Sequence, residues 1–148
     1  MNKRLFIFGA GAHARKVYHC SVSSGWRVEA FVDEAADAVT PISTLPILNV
    51  IDLTEPKNGD SIFIAIGRAE VRMRLMDQMS QAGWNLPTIV HPSAWVAPDV
   101  KFGAGVLIAA GAVVDQRTDA YSDRKQQKNR VTQTECHDCG EPLRHIAK

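Results

Sequence analysis

The pattern of apolar and polar residues divides roughly the first ninety positions into short apolar runs and two amphipathic stretches. Apolar runs bounded by glycine, proline or charged residues predict strands, and spacings of three and four predict helices. The predicted strands cover residues 3–8, 27–32, 47–48, 61–66 and 86–90, and the predicted helices cover residues 15–23 and 68–82. Strands that alternate with helices are typical of a mostly parallel α/β sheet.

A different period begins at Val96, where the chain reads VAPDVK, FGAGVL, IAAGAV and VDQRTD. The first position of each six-residue unit is large and apolar, and the fifth is small or slim. The first positions are Val96, Phe102, Ile108 and Val114, and the fifth positions are Val100, Val106, Ala112 and Thr118. A period of six fits neither a helix nor a flat strand and favours a parallel β-helix, in which three units close one coil. A plain β-meander is the alternative interpretation.

The first predicted strand runs directly into the segment Gly9-Ala10-Gly11-Ala12-His13-Ala14, and the second ends at Asp33. Strand, glycine turn, helix, strand and acid is the order of a Rossmann-like unit. In such a unit the glycines let the backbone approach a diphosphate, and the helix N-terminus supplies unpaired N–H donors. Ala14 replaces the third fingerprint glycine. The alternative is that the glycines only form the turn.

Four segments carry a family resemblance: FIFGAGAHARKV, FVD, IFIAIGRAEVRMRL and IVHPSAWVAPDVKFGAGVLIAAGAVV. Together they resemble the sugar acyltransferases of the sialic-acid and bacillosamine type, over roughly residues 3–118. The resemblance implies a Rossmann-like sugar-nucleotide-binding domain at residues 1–90 and a left-handed parallel β-helix at residues 91–118. Residues 119–148 would form a polar tail with few bulky apolar side chains, for which disorder is one expectation.

The resemblance also implies an activity and a set of site residues. The expected protein is a cytoplasmic homotrimer that moves an acetyl group from acetyl-CoA to an amine or hydroxyl of a sugar or nucleotide-linked amino sugar. The sugar nucleotide would contact Gly9, Gly11, His13, Asp33, Gly67 and Arg68. His13 would otherwise cap the first helix, and Arg72 would be either a phosphate contact or a solvated helix residue.

The six-residue period stops after Val114-Asp115, whereas the resembled family continues for several more coils. This break predicts a β-helix that is cut short and favours loss of acetyl transfer. The triplet His137-Asp138-Cys139 resembles the family's catalytic pattern, which makes His137 the candidate catalytic base. Alternatively, His137 is an ordinary residue of the polar tail. The spacing of Cys136 and Cys139 also permits a zinc knuckle, but a second cysteine pair is missing, so no metal site is predicted.

Composition gives little support for a nucleic-acid-binding or membrane-associated protein. The chain has 148 residues, 45% of them hydrophobic, and a formal net charge of +1, which gives no reason to expect nucleic acid or a membrane surface as a partner. Three cysteines without a signal sequence favour the reducing cytoplasm. Two other functions stay open. One is a non-catalytic sugar-nucleotide-binding module, and the other is an NAD-linked oxidoreductase, against which the six-residue repeats argue.

Overall fold

The computed structural model describes residues 3–35, 39–53, 55–57 and 59–115. These residues form eight strands and two α-helices, with a 3₁₀ turn at Val50–Asp52. The helices are α1 (Ala12–Ser23) and α2 (Ala69–Gln81), and the strands are β1 (Arg4–Phe8), β2 (Arg27–Asp33), β3 (Ile47–Asn49), β4 (Asp60–Ile64), β5 (Ile89–Val90), β6 (Trp95–Val96), β7 (Leu107–Ile108) and β8 (Val113–Val114). No helix among the described residues is long and apolar enough to cross a membrane.

The first four strands form one parallel sheet in the order β3-β2-β1-β4, which confirms the predicted α/β class. The chain moves outward from β1 to β2 and β3, and then returns to the other side of β1 for β4. The direction of the connections therefore reverses between β1 and β4. Ligands of open parallel sheets bind at such a switch point, beyond the carboxyl ends of the strands.

The sheet is buried on both faces because successive side chains of a strand point in opposite directions. On one face, Leu5 and Ile7 of β1 pack in a cluster with Val17 of α1. On the other face, Phe8 packs with Leu75 and Met76 of α2. Side chains pointing to both faces are apolar, which explains why the strands of this sheet read as continuous apolar runs rather than as alternating patterns.

Charged side chains are concentrated at the amino edge of the sheet. Arg4 Nη1 lies 3.0 Å from Oδ1 of Asp60, whose side chain is only 6% exposed. That oxygen has no hydrogen bond of good geometry, so the contact is chiefly electrostatic. Arg4 also pairs with Glu29 at 3.3 Å, and Arg27 pairs with the same carboxylate at 2.6 Å, which lowers the pKa of Glu29. These ion pairs lie at the opposite edge of the sheet from the glycine turn, and we assign them a role in stabilising the fold rather than in ligand binding.

The remaining four strands form two parallel pairs, and the paired residues lie eighteen positions apart in the sequence. In β5 and β7, Ile89 lies beside Leu107, and in β6 and β8, Trp95 lies beside Val113. Eighteen residues are three six-residue units. The first and fifth positions of these units meet in one apolar cluster that includes Val96, Val100, Phe102, Val106, Ile108, Ala112 and Val114. The parallel pairing rules out the β-meander, whose neighbouring strands are antiparallel.

The same cluster contains Val90 and Ala94, which lie six residues before Val96 and Val100. The repeat therefore begins with residues 90–95, one unit before Val96, where the period of six is first evident in the sequence. The sequence signal was present, because VHPSAW carries a large apolar residue first and a small residue fifth. The histidine at its second position is absent from the later units, so the unit is harder to recognise as a repeat.

Helix α1 joins the sheet to the repeats. Ser24, which follows α1, donates its hydroxyl to the carbonyl of Val90 at 2.8 Å. The thiol of Cys20 lies 3.6 Å from the carbonyl of Ile108 as a weak donor. Ile89 belongs to the core cluster of the sheet and is fully buried. The helix therefore packs on the sheet with one face and contacts the repeats with another.

Candidate functional site

The glycine turn after β1 is held between the ends of two neighbouring strands. The N–H of Gly9 donates to the carbonyl of Val32 at 2.7 Å, and the N–H of Ala65 donates to the carbonyl of Phe8 at 2.8 Å. Gly9 has a φ of 109°, and a Cβ added there would lie 2.9 Å from the carbonyl oxygen of Ala65. Only glycine satisfies both the conformation and the close approach. The first glycine of the motif is therefore required by the turn itself.

Gly11 has a different environment. It occupies the N-cap position of α1 with extended backbone, and a Cβ added there would meet nothing within 4 Å. The surface above Gly11 is open, and the first turn of α1 carries no acidic residue. The unpaired N–H groups of a helix N-terminus and the helix dipole attract anions. This arrangement can accept a phosphate group, with space for it left by the missing side chain of Gly11.

Asp33 lies at the end of β2 beside the same turn. Its Oδ2 accepts the N–H of Ala10 at 2.9 Å, and its Oδ1 accepts the N–H of Ala35 at 3.0 Å. The carboxylate therefore fixes the backbone of the glycine turn relative to β2. Each carboxylate oxygen can accept more than one hydrogen bond, so Asp33 can also accept a hydroxyl of a ligand.

Arg72 on α2 contacts the loop that follows β4 and lies near enough to His13 to affect its pKa. Its Nη1 donates to the carbonyls of Ile66 and Gly67, at 2.9 and 3.0 Å. The expectation of a simple solvated helix residue is therefore wrong: the guanidinium stabilises the loop between β4 and α2. Arg68 is exposed and occupies the N-cap position of α2, where its carbonyl accepts the N–H of Arg72 at 3.0 Å.

His13 lies in the first turn of α1, where the positive charges of Arg72 and Lys16 affect its pKa. The pKa of His13 is lowered, first by partial desolvation of the ring and then by the positive charges of Arg72 and Lys16. A lowered pKa favours the neutral imidazole, which offers one donor and one acceptor. Gly11 holds the N-cap position, so the alternative that His13 caps the helix is wrong.

A second concave surface lies between α1 and the first repeats. This cleft, about 460 Å³ in volume, extends along α1 from Ala12, its first residue. Arg15, Lys16 and His19 line it on the helix side, and His91 lines it on the repeat side together with two alanines. Its volume is within the range of small-molecule sites. The sequence pattern does not predict this cleft, although the polar residues of α1 that line it follow a helical spacing of three and four.

The structure brings most of the predicted site residues to one edge. Gly9, Gly11 and Asp33 surround the glycine turn, His13 and Arg72 interact electrostatically, and Gly67 lies in the loop that packs on that turn. Their roles in ligand binding stay predictions. His137 lies outside the described residues, as do Cys136 and Cys139. Within the described ranges, no three His, Cys, Asp or Glu side chains are grouped to hold a metal ion.

Solved structures of acetyltransferases are similar to this chain. PerB from Caulobacter crescentus, solved with CoA and GDP-perosamine, is 32% identical over 79% of this chain and 56% of its own, with a TM-score of 0.68. A mutant of perosamine N-acetyltransferase from the same organism gives 32% identity over 79% and 55%, with a TM-score of 0.67. The acetyltransferase domain of PglB from Neisseria gonorrhoeae, solved with acetyl coenzyme A, is similar in fold, with 22% identity over 82% and 60% and a TM-score of 0.68.

This chain therefore spans a little over half the length of the PerB chains that it matches. The sequence pattern of the PglD N-terminal domain family matches residues 4–79, which is just over half of the 148 residues. That match covers the glycine turn, Asp33 and most of α2. It confirms the resemblance to sugar acyltransferases, and the chain belongs to the PglD N-terminal domain family.

Proposed function

We propose that this protein is an acetyl-CoA-dependent acetyltransferase that acts on a nucleotide-linked amino sugar in surface-glycan biosynthesis. One observation carries the proposal: an open helix N-terminus at Gly11 lies beside Asp33 at the switch point of a parallel sheet. The proposal is also supported by the 32% identity to PerB, whose structure was solved in complex with CoA and GDP-perosamine.

The proposed division of labour follows from the chemistry of the site. The diphosphate of the nucleotide sugar binds at the N-terminus of α1, where N–H groups and the helix dipole favour anions. Asp33 accepts a ribose hydroxyl, as an acid after the second strand does in Rossmann-like sites. His13 stays neutral and donates to or accepts from the ligand, while Gly67 and Arg68 border the same crevice.

We further propose that residues 90–115 begin a left-handed parallel β-helix. Its support is the pairing of β5 with β7 and of β6 with β8, in which partners lie eighteen residues apart, as expected for one coil of three units. In this proposal acetyl-CoA lies in a groove between coils of adjacent subunits of a homotrimer. The domain limits proposed from the sequence then shift by one residue, because the first repeat begins at Val90.

The transfer itself needs a base. In the proposed step, the sugar amine attacks the thioester carbonyl, loses a proton to a histidine, and forms an amide as the bond from carbon to sulfur breaks. The protonated histidine returns its proton to the departing thiolate, which leaves as CoA. His137 is the sequence's candidate for this role.

Calorimetric titration tests the proposal directly. The whole chain is titrated with GDP-perosamine and UDP-N-acetylglucosamine, and separately with acetyl-CoA. Binding of a nucleotide sugar and of acetyl-CoA is the expected result, followed by acetyl transfer to GDP-perosamine that mass spectrometry detects as acetylated product. His137→Ala is the matched variant for the base, and it should keep binding while losing transfer.

The other outcomes distinguish the alternatives. Binding of a nucleotide sugar without acetyl-CoA binding would make the protein a sugar-nucleotide-binding module. Binding of NAD in place of a nucleotide sugar would favour the oxidoreductase. If neither nucleotide sugar binds, the proposed function is wrong. Size-exclusion chromatography with light scattering checks the proposed trimer, and fractionation of the native host checks the proposed cytoplasmic location.

A further inference from the structure

The cleft between α1 and the repeats begins where the proposed diphosphate site ends. Ala12 lines the cleft and directly follows Gly11, the N-cap residue of α1. At the opposite end, the C-terminal part of α1 contacts the repeats: the thiol of Cys20 lies 3.6 Å from the carbonyl of Ile108, and the hydroxyl of Ser24, just after the helix, lies 2.8 Å from that of Val90. His91 and Ala109, the next residues along the chain, line the cleft at this far end. A ligand bound at Gly11 can therefore extend along α1 toward His91.

The side chain of His91 is held in one tautomer by its neighbours. Its Nδ1 accepts the backbone N–H of Ser93 at 3.1 Å and lies 2.8 Å from the Ser93 hydroxyl. The N–H of Gly111 donates to that same hydroxyl oxygen at 3.2 Å, which directs the hydroxyl proton toward Nδ1. Because Nδ1 serves as an acceptor, the proton of the neutral ring is on Nε2. His91 is therefore fixed as a hydrogen-bond donor through Nε2.

The chemistry of the lining changes along the cleft. Arg15 and Lys16 lie on the first half of α1, and long helical side chains lean toward the helix N-terminus, so they add positive charge near Gly11. Beyond His19, Cys20 and Ser23 of α1 line one side of the far end, and His91, Ala109 and Ala110 of the repeats line the other. A phosphate fits the cationic end, and a ring with hydroxyl oxygens and an apolar face fits the far end.

We propose that this cleft holds the sugar of the nucleotide-linked substrate, and that His91 determines specificity by donating its Nε2–H to a sugar oxygen. This inference rests on the proposed function, since it extends the ligand from the diphosphate site at Gly11. The backbone of His91 is itself fixed by a hydrogen bond from its N–H to the carbonyl of Ile108 at 2.9 Å. Ser93 is a positioning residue that acts through the ring of His91.

The test compares each nucleotide sugar with its own nucleotide. Calorimetry on the whole chain measures the affinities for GDP and GDP-perosamine, and for UDP and UDP-N-acetylglucosamine. Ala110→Leu fills the cleft, and Ala104→Leu is its matched control: both alanines are exposed, occupy the third position of a repeat and precede a glycine of positive φ, but only Ala110 lines the cleft. His91→Leu removes the donor, and His91→Gln keeps an amide donor.

We expect the wild-type chain to bind one of the nucleotide sugars more tightly than the matching nucleotide. His91→Leu should weaken binding of the sugar form by about three- to tenfold, the loss typical of one hydrogen bond, and leave nucleotide binding unchanged. His91→Gln should restore most of this loss. Ala110→Leu should abolish the preference for the sugar form, and Ala104→Leu should retain it.

Two results would overturn the inference in distinguishable ways. If both forms of a nucleotide bind equally well to the wild-type chain, the sugar does not use the cleft, while the proposed nucleotide site at Gly11 stands. If no nucleotide or nucleotide sugar binds, the proposed function fails and the cleft inference fails with it. A loss of nucleotide and sugar-nucleotide binding by the same factor in His91→Leu would assign His91 a purely structural role and also contradict the inference.

Discussion

Separate substitutions of the two glycines in the turn after β1 should affect different properties: Gly9→Ala the stability of the fold, and Gly11→Ala the affinity for a nucleotide sugar. Gly9→Ala places a Cβ 2.9 Å from the carbonyl oxygen of Ala65 and 3.0 Å from Cδ1 of Ile66, on a residue whose φ is 109°. The backbone oxygen cannot move away without displacing the end of β4. Gly11→Ala adds a methyl group that meets nothing within 4 Å, at a residue with negative φ.

The expected cost follows from these two geometries. A non-glycine residue forced into a sparsely populated conformation costs about 1–3 kcal/mol, and an overpacked contact adds a similar amount. We expect Gly9→Ala to lower the free energy of unfolding by about 2–4 kcal/mol. Gly11→Ala should change it by less than about 1 kcal/mol. Gly11→Ala should instead weaken nucleotide-sugar binding at least tenfold, because its methyl group occupies the place of a phosphate.

Urea unfolding followed by tryptophan fluorescence and far-ultraviolet circular dichroism measures the stability of both variants. With a slope of about 1–3 kcal/mol per molar urea, the midpoint for Gly9→Ala should fall by roughly 1–2 M. Calorimetry with GDP-perosamine and UDP-N-acetylglucosamine measures binding by Gly11→Ala. A Gly9→Ala variant as stable as wild type would refute the argument from close approach. Equal destabilisation by both substitutions would refute the distinction between the two glycines.

Three other predictions concern charged groups of the described residues. Asp33→Asn exchanges an acceptor oxygen for a donor group beside the backbone N–H donors, so it should cost about 1–2 kcal/mol in urea unfolding and weaken nucleotide-sugar binding. Arg72→Met should raise the pKa of His13 in an NMR titration, because Arg72 lowers it; an unchanged or lower value would contradict this. Because the folded-state pKa of His13 lies below its ordinary 6.5, the unfolded chain binds the proton more readily than the folded chain. The free energy of unfolding that His13 contributes is therefore fully present above pH 6.5 and declines as the pH falls below it. This decline should be smaller in Arg72→Met. Arg4→Met should cost about 1–3 kcal/mol because it leaves a buried carboxylate without its cation, whereas Arg27→Met, on the more exposed side of the network, should cost less than about 1 kcal/mol.

The sheet was predictable because its signals are local. A strand buried on both faces is a continuous apolar run, and such runs placed β1, β2, β3 and β4 within one to two residues. The limits of α1 were less accurate, because the helix begins at Ala12 rather than at residue 15. Its first turn carries small residues and a histidine, so no apolar spacing marks it.

The repeats were predictable in period but not in extent. Val90 and Ala94 belong to the same apolar cluster as the later repeats, yet His91 and Pro92 interrupt the pattern of small residues between them. The eighteen-residue offset of the strand pairs was implied by the period of six. The period did not predict which residues of the repeats contact α1, because those contacts depend on how the repeats pack against the helix.

The parallel sheet, the glycine turn and the period of six could be predicted from the sequence, because each of these depends on residues that are near neighbours in the chain. Three contacts became evident only in the folded chain: Arg72 supports the loop beside the turn, Asp33 accepts the N–H of Ala10, and His91 lies across a cleft from α1. These contacts join residues from separate elements. Their geometry is set by the packing of helices on the sheet and on the repeats, which no local pattern of side chains encodes.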